Sequence, residues 1–115
     1  MKLIEDPLAP NPRRVNIFLA EKGITLERQT MQVIKRQHKT EAFRAINPTG
    51  TLPVLVLDDG TAISETVAIC RYFEEQQPAP ALMGENPMQR VLVEMWQRRM
   101  ELGFFMQVAF AFRHL

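Results

Sequence analysis

The amino-acid sequence predicts an α/β fold: a mixed four-stranded sheet covered by helices, followed by a linker and the start of a helical part. Short apolar runs alternate with helical patterns through residues 1–77, and this alternation is typical of a sheet covered on both faces. The Asp59-Gly60 pair lies between two strand-like runs and indicates a hairpin, which makes the sheet mixed. The 115 residues are enough for one compact domain with a core.

The first helix has the clearest local signals. Asn11 suits the N-cap, Pro12 suits the first helical position, and Gly23 suits the position after the last turn. The other elements follow from apolar runs, caps and turn residues. The expected order is β-α-β and then α-β-β-α, with strands at residues 3–4, 26–33, 54–57 and 61–63 and further helices at residues 40–46 and 66–76.

The apolar spacing also predicts which helix faces are buried. Lys22 follows the spacing of the apolar stripe of the first helix, and Ile46 is expected to point inward from the second. The third helix is apolar nearly all round, so we expect it to be buried between layers, with Thr66 as its cap.

Two prolines predict a boundary between domains. Pro78 and Pro80 interrupt the helical pattern and can continue neither a helix nor a central strand. We therefore expect a first domain of residues 1–77, a linker of residues 78–85, and the start of a helical domain in residues 86–115.

The last predicted helix begins near Asn86, and Gly103 is a candidate bend within it. We interpret Trp96 as a core or subunit-contact residue rather than a substrate-binding one. Aromatic side chains near the end of the helix are expected to be exposed and to require a partner. They are Phe104, Phe105, Phe110 and Phe112.

The composition argues against several functional classes. The formal net charge is +1, which favours neither a nucleic acid nor a membrane as partner. The single cysteine, Cys70, excludes an internal disulfide and a Cys/His metal cluster, and we interpret it as a small buried hydrophobe. The sequence has no secretory leader pattern and no membrane-spanning apolar run, so a cytoplasmic protein is expected. Because a Cys/His cluster is excluded, no bound metal is expected.

Thr51-Leu52-Pro53-Val54 stands at the start of a buried strand, where a proline removes one hydrogen-bond donor from the ladder. Two interpretations are open: a trans proline that begins the strand, or a cis proline in a tight turn. In the second case the backbone of Leu52 is left to pair with an extended peptide, as an added strand does.

Ser64-Glu65-Thr66 precedes the third helix and also has two interpretations. It can be a helix cap, worth about 1 kcal/mol. Alternatively, unpaired N–H groups and the helix dipole can bind a ligand carboxylate, while Glu65 accepts a hydrogen bond from a ligand ammonium. The second arrangement would bind an amino-acid head group.

Two further segments carry possible ligand contacts. Residues 35–39, Lys-Arg-Gln-His-Lys, form either a solvated loop, a weak nucleic-acid patch, or a cationic rim for an anionic small ligand. The start of the first helix, from Pro10 to Arg14, is either a well-formed helix terminus or a place where the pKa of a bound thiol is lowered.

The segments described above belong to a set of short motifs that follow one another along nearly the whole chain. In sequence they are Arg14-Val15, Leu19-Ala20-Glu21-Lys22-Gly23, His38-Lys39, Asn47-Pro48, Gly50, Leu52-Pro53-Val54-Leu55, Glu65-Thr66, Ala68-Ile69 and Arg71-Tyr72-Phe73. With this set, the sequence resembles the cytosolic glutathione transferases, most of all the bacterial members. The resemblance implies a thioredoxin-like first domain, glutathione as co-substrate, and a homodimer.

The resemblance also implies which positions bind glutathione. The residue before a cis proline would pair its backbone with the cysteinyl part, and the pair at the start of the third helix would hold the γ-glutamyl head group. The pair at the end of the basic loop would approach the glycyl carboxylate. In that order these are Leu52 with Pro53, Glu65 with Thr66, and His38 with Lys39.

The sequence departs from the family pattern at two positions. Many members carry Tyr, Ser or Cys after the first strand to stabilise or bond the glutathione sulfur, but here Ala9 aligns and residues 1–16 contain no hydroxyl or thiol. Asn11 aligns with an asparagine near the sulfur in Nu-type members, which resemble disulfide-bond reductases, and it is the candidate catalytic residue. Thr51 replaces a Lys or Arg that often contacts the glycyl end.

Three functions are therefore compared. The first is an enzyme that uses the glutathione thiolate for conjugation to an electrophile, as in detoxification, or for thiol–disulfide exchange. The alternative is a non-catalytic binding protein of the stringent starvation protein A type, which Ala9 favours and the Glu65-Thr66 pair disfavours. The third is a dimerisation role for the helix from Met88 to Phe112.

Overall fold

The computed structural model describes residues 1–114, which divide into two compact units. The first unit is Met1–Pro80, and the second begins at Ala81. The division falls within the predicted linker of residues 78–85.

The first unit is built on a mixed sheet, as predicted. Its strands are β1 (Lys2–Glu5), β2 (Glu27–Thr30), β3 (Val54–Val56) and β4 (Ala62–Ser64). The strand order is β2-β1-β3-β4, in which β1 and β2 are parallel and the other two pairs are antiparallel.

Helices cover both faces of this sheet: α1 (Pro10–Lys22), α2 (Glu41–Ile46) and α3 (Thr66–Gln76). On one face, Ile4 and its partner Val54 pack with Phe43 of α2, and all three are buried. Successive side chains of a strand point to opposite faces, so Leu3 and Leu55 lie on the other face, which α1 and α3 cover.

The start of α1 differs from the prediction. The helix begins at Pro10, Ala9 is its N-cap, and Asn11 is the second helical residue rather than the cap. Pro10 and Pro12 both suit the first helical position, and the bond from Arg13 N–H to the Ala9 carbonyl, at 3.2 Å, corresponds to the earlier start. The predicted end is confirmed, because Gly23 adopts the left-handed conformation after the last turn.

The second strand is shorter than predicted and ends at Thr30. Met31 N–H still donates to the Glu5 carbonyl at 2.7 Å, but Val33 N–H donates to Oδ2 of Asp6 at 2.9 Å. The chain then forms two short 3-10 turns. The first, Val33–Lys35, begins at the residue predicted to end the strand, and the second, Gln37–Lys39, lies within the basic segment of residues 35–39.

Two details of the other helices also correct the prediction. Ile46 of α2 was expected to point inward, but it is 40% exposed. The third helix was expected to be buried nearly all round with Thr66 as its cap, but Ala68 is exposed and Glu65 is the N-cap. The buried residues of α3 recur with helical spacing on one face, at Thr66, Ile69, Cys70, Phe73 and Glu74.

The second unit contains α4 (Pro87–Met100), a π-helical turn (Glu101–Phe105) and α5 (Met106–Arg113). Oδ1 of Asn86 accepts a hydrogen bond from Gln89 N–H at 2.9 Å, so the helix starts where the sequence predicted. Gly103 lies within the π-helical turn.

Aromatic side chains of the second unit are exposed. Trp96 is 55% exposed, so it is not a core residue of the described chain, and its other interpretation, as a subunit contact, stays a prediction. The guanidinium of Arg99 lies 5.0 Å from its ring centre. Phe104, Phe110 and Phe112 are exposed as predicted, but Phe105 is half-buried, so its prediction was wrong. Within residues 1–114, none of the helices combines the length and apolar character needed to cross a membrane.

Candidate glutathione-binding site

The register of the strands brings the predicted site residues to one edge of the sheet. Ile4 pairs with Val54, and Val54 pairs with Ser64, so the segments that flank these residues are neighbours at this edge. Glu5 pairs with Thr30, so the loop after β2 starts at the same edge. The start of α1, the Leu52-Pro53 pair, Glu65 and the basic loop therefore lie at the ends of adjacent strands.

Leu52 anchors its side chain in the core, while its backbone is unpaired. The side chain packs with Ile4, Phe43 and Val54, and the Leu52-Pro53 peptide bond is cis. Among residues 1–114, neither the N–H nor the carbonyl of Leu52 has a hydrogen-bond partner. An extended peptide could use both groups, as an added strand does.

The turn before Leu52 is held by Asn47 and closed at Gly50. Asn47-Pro48-Thr49-Gly50 has the residue types of a β-turn, and Gly50 N–H donates to the Asn47 carbonyl at 2.9 Å. Gly50 has φ +62°, and a Cβ at this position would lie 3.3 Å from Nε of Arg44. Glycine therefore suits this position both conformationally and sterically.

The basic loop meets this turn through Lys39. Its Nζ donates to the Gly50 carbonyl at 3.0 Å, while the residue remains exposed to solvent. This contact holds an ammonium group two residues before Leu52. An anion beside the Leu52 backbone would therefore lie near a fixed positive charge.

His38 is half-buried, and its Nδ1 atom has no hydrogen-bond partner among the described residues. Its pKa is lowered from the usual value of 6.5, first by burial and then by the positive charges of Lys39 and Arg36, while Asp6 opposes the shift. The imidazole is therefore mainly neutral at pH 7, and one of its ring nitrogens can donate a hydrogen bond while the other can accept one.

The start of α3 combines an unusual backbone conformation with unpaired donors. Glu65 has φ +76° and ψ 122°, a conformation that residues other than glycine rarely adopt. Its side chain is exposed and caps no N–H group of the helix. The Glu65 side chain therefore does not cap the helix, which was the simpler interpretation of this segment. The N–H groups in the first turn of α3 can bind an anion beside the exposed Glu65 carboxylate.

Asn11 lies at the start of α1, where the donors are few. Pro10 and Pro12 have no N–H, and Arg13 N–H already bonds to Ala9, so the backbone N–H of Asn11 is the unpaired donor of this first turn. Oδ1 of Asn11 accepts a hydrogen bond from Nη1 of Arg14 at 3.2 Å. This contact orients the amide so that Nδ2, which has no partner among residues 1–114, can donate to a ligand.

Asp6 links the loops on either side of this edge. Its Oδ1 accepts from Leu8 N–H at 3.0 Å, and its Oδ2 accepts from Val33 N–H at 2.9 Å. Neither Asp6 nor the bonds of the Asn47 side chain were predicted from the sequence. The available signal was an Asx residue before a turn, since such side chains bond to nearby backbone N–H groups.

Cys70 does not supply a reactive thiol. It is 8% exposed, and burial raises the pKa of its thiol to about 11, against a smaller opposing effect of Arg14. The interpretation of Cys70 as a buried hydrophobe agrees with this environment. A sulfur nucleophile at this site would therefore come from a ligand.

The geometry can be compared with known proteins. Residues 9–76 match the family model of the glutathione S-transferase N-terminal domain. Glutathione S-transferase 2 of Saccharomyces cerevisiae is 38% identical over 99% of this chain. A solved glutathione S-transferase domain-containing protein from Marinobacter aquaeolei VT8 is 40% identical over 95% of this chain, with a TM-score of 0.91.

A third similar protein is the stringent starvation protein A homolog of Coxiella burnetii, which is 32% identical over 91% of this chain. The chain covers 50% of the yeast protein, 54% of the Marinobacter structure and 48% of the Coxiella protein. The chain thus spans about half the length of the proteins that it matches.

Proposed function

The chain belongs to the glutathione S-transferase family, and from this membership and the site geometry we propose that it binds glutathione and uses the glutathione thiolate as a nucleophile. Glutathione carries an ammonium group, two carboxylates, two peptide groups and a thiol. The observation that carries the proposal is the start of α3, where exposed Glu65 stands beside uncapped N–H groups. This pair of features is complementary to the γ-glutamyl head group.

The remaining contacts follow from the same edge of the sheet. The unpaired backbone of Leu52, before cis Pro53, pairs with the cysteinyl residue of glutathione. Thr66 assists at the γ-glutamyl carboxylate, while Lys39 and His38 approach the glycyl carboxylate. Because His38 is mainly neutral at pH 7, Lys39 supplies the charge in this part of the site.

Asn11 acts on the sulfur in this proposal. A hydrogen bond from its Nδ2 to the thiolate favours the charged form and therefore lowers the pKa of the thiol. Asn11 takes the place of the missing hydroxyl, since Ala9 offers no polar side chain. The N-terminus of α1 adds the partial positive charge of its helix dipole.

Two reactions are compatible with this arrangement. In conjugation, the thiolate forms a C–S bond with an electrophilic carbon, and a leaving group departs with its electron pair or a proton is taken up. In thiol–disulfide exchange, the thiolate attacks one sulfur of a disulfide, the S–S bond breaks, and the other sulfur leaves as a thiolate. In both reactions the protein positions the thiol and glutathione supplies the nucleophile.

The non-catalytic alternative of the stringent starvation protein A type is not favoured. The Coxiella relative is less similar than the yeast transferase, at 32% against 38% identity. The features at Glu65 fit a ligand head group, which a scaffold without a ligand does not require.

We also propose a division of the chain into two domains joined by a linker. Residues 1–77 serve as the glutathione-binding domain, residues 78–85 as the linker, and residues 86–115 as the start of a helical domain. The exposed aromatic side chains of the second unit support a homodimer. The single buried thiol, Cys70, supports a cytoplasmic location, and detoxification is the role that conjugation would serve.

Calorimetric titration with reduced glutathione tests the proposal. We expect binding in the micromolar-to-millimolar range, and we expect Glu65→Ala to abolish it. Glu85→Ala is the matched control, because Glu85 is also exposed but lies in the second unit. A folded wild-type chain that does not bind glutathione, or equal binding by the two variants, would contradict the proposal.

A further inference from the structure

The side chain of Asn47 uses both ends of its amide to hold the turn that leads to Leu52. Asn47 is only 3% exposed. Its Nδ2 donates to the Thr51 carbonyl at 2.9 Å, and its Oδ1 accepts from Oγ1 of Thr49 at 3.0 Å. Its backbone N–H donates to the Phe43 carbonyl at 2.9 Å, so the residue also ties this turn to the end of α2.

The bond to Thr51 has a direct consequence for Leu52. The Thr51 carbonyl and the Leu52 N–H belong to one planar peptide group, and in a trans peptide these two bonds point in opposite directions. Within residues 1–114 the cis peptide bonds are Leu52-Pro53 and Ala79-Pro80, so the Thr51-Leu52 bond is trans. Asn47 therefore holds the carbonyl on its own side and directs the Leu52 N–H away from itself.

No hydrogen bond within the described residues fixes the Leu52 N–H, so its direction depends on the peptide group that Asn47 holds. We propose that Asn47 is a positioning residue that orients the Leu52 N–H for pairing with the backbone of glutathione. This inference depends on the proposed function, because it assumes that Leu52 pairs with glutathione. Asn47 itself touches no ligand in this arrangement.

The test compares calorimetric affinities for reduced glutathione in the wild type and in Asn47→Ala and Asn47→Asp, each under conditions where the protein is folded. Asn47→Asp retains the acceptor for Thr49 but loses the donor to Thr51. We expect both variants to weaken binding by about tenfold, the effect of losing one hydrogen bond in the site. In the wild type, glutathione should also shift the NMR signal of the Leu52 amide, and this shift should be smaller in the variants.

Asn86→Ala is the matched control, because Asn86 is also a structural asparagine but caps α4 in the second unit. It should change the affinity by less than about twofold. Binding by folded Asn47 variants that equals the wild type overturns the inference alone, whereas a wild type that does not bind overturns the proposed function with it.

If the Asn47 variants do not fold, Thr49→Val serves instead, because it keeps Asn47 and removes only the bonds that Oγ1 of Thr49 makes to Asn47 and to Oγ1 of Thr51. We then expect a loss of about threefold, since the Asn47 amide is held less firmly. An unchanged affinity in Thr49→Val would then overturn the inference.

Discussion

Nζ of Lys22 lies 2.6 Å from Oε1 of Glu74, and the Lys22 side chain is fully buried. The same ammonium donates to the carbonyls of Gln77 and Pro80, at 2.6 and 2.7 Å. The end of α1 is thus bonded to the end of α3 and to the segment that follows α3. Sequence spacing placed Lys22 on the apolar side of α1, and the structure shows that its charge is satisfied there.

Lys22→Met should destabilise the first unit strongly. The variant leaves the carbonyls of Gln77 and Pro80 without this donor and removes the Lys22 ammonium from the buried Glu74 carboxylate, and breaking a buried pair in this way costs about 3–5 kcal/mol. Urea unfolding followed by circular dichroism measures the change. Lys35→Met is the control, because the Lys35 side chain is exposed, and it should change the free energy of unfolding by less than about 0.5 kcal/mol. Equal stabilities of the two variants would contradict the assigned role of Lys22.

The positive φ of Glu65 predicts a difference between glycine and alanine at this position. Both Glu65→Gly and Glu65→Ala lose the carboxylate, so both should lose glutathione binding. Glycine adopts φ +76° without steric cost, whereas alanine does not, so Glu65→Gly should be more stable by about 1 kcal/mol. Thermal unfolding of the two variants measures this difference. If alanine is as stable as glycine, the backbone at this position is not strained.

Cys70 should be unreactive in the folded protein. Because burial raises its pKa to about 11, the thiolate is a very small fraction at neutral pH. An aromatic disulfide reagent should label Cys70 slowly under native conditions and rapidly in denaturant. Rapid native labelling would show that the thiol is accessible, and it would reopen the question of which sulfur acts as the nucleophile.

His38 should make the stability depend on pH. Its folded pKa is lowered, so below the usual value of 6.5 the unfolded chain takes up a proton more readily than the folded chain does. Stability therefore falls as the pH decreases from 6.5 towards the folded pKa, and it is regained as the pH rises again. His38→Gln, which stays neutral, should reduce this dependence when unfolding midpoints are measured between about pH 5 and pH 8. An identical pH profile in the variant would contradict the assignment to His38.

The sequence predicted the ends of those helices that have local signals. It did not predict the ends that depend on hydrogen bonds between residues far apart in the chain. Gly23 and Asn86 mark helix ends correctly, because the cap chemistry lies within a few residues. The end of β2 was wrong, because Val33 N–H bonds to Asp6 across 27 positions of the chain. The predicted start of α1 was wrong, because Pro10 and Pro12 both suit the first helical position and no local signal distinguishes them.

The candidate site was predicted as a set of residues but not as an arrangement. Sequence order gave no information on the direction of the Leu52 N–H, which depends on the side chain of Asn47. The positive φ of Glu65 could not be predicted either, because glutamate gives no local signal for it. The roles of these residues in glutathione binding stay predictions.

Asn11→Ala should raise the pKa of the bound glutathione thiol. The variant removes the side-chain donor but keeps the backbone N–H and the dipole of α1, so we expect a rise of about one pH unit, equivalent to about 1.4 kcal/mol. Ultraviolet absorbance of the bound thiolate, recorded against pH, measures the pKa. Asn11→Asp should raise it further, because a carboxylate beside the sulfur disfavours the thiolate. Asn16→Ala, on the same helix, is the control. An unchanged pKa in both Asn11 variants would remove Asn11 from the catalytic role and leave the helix terminus to act alone.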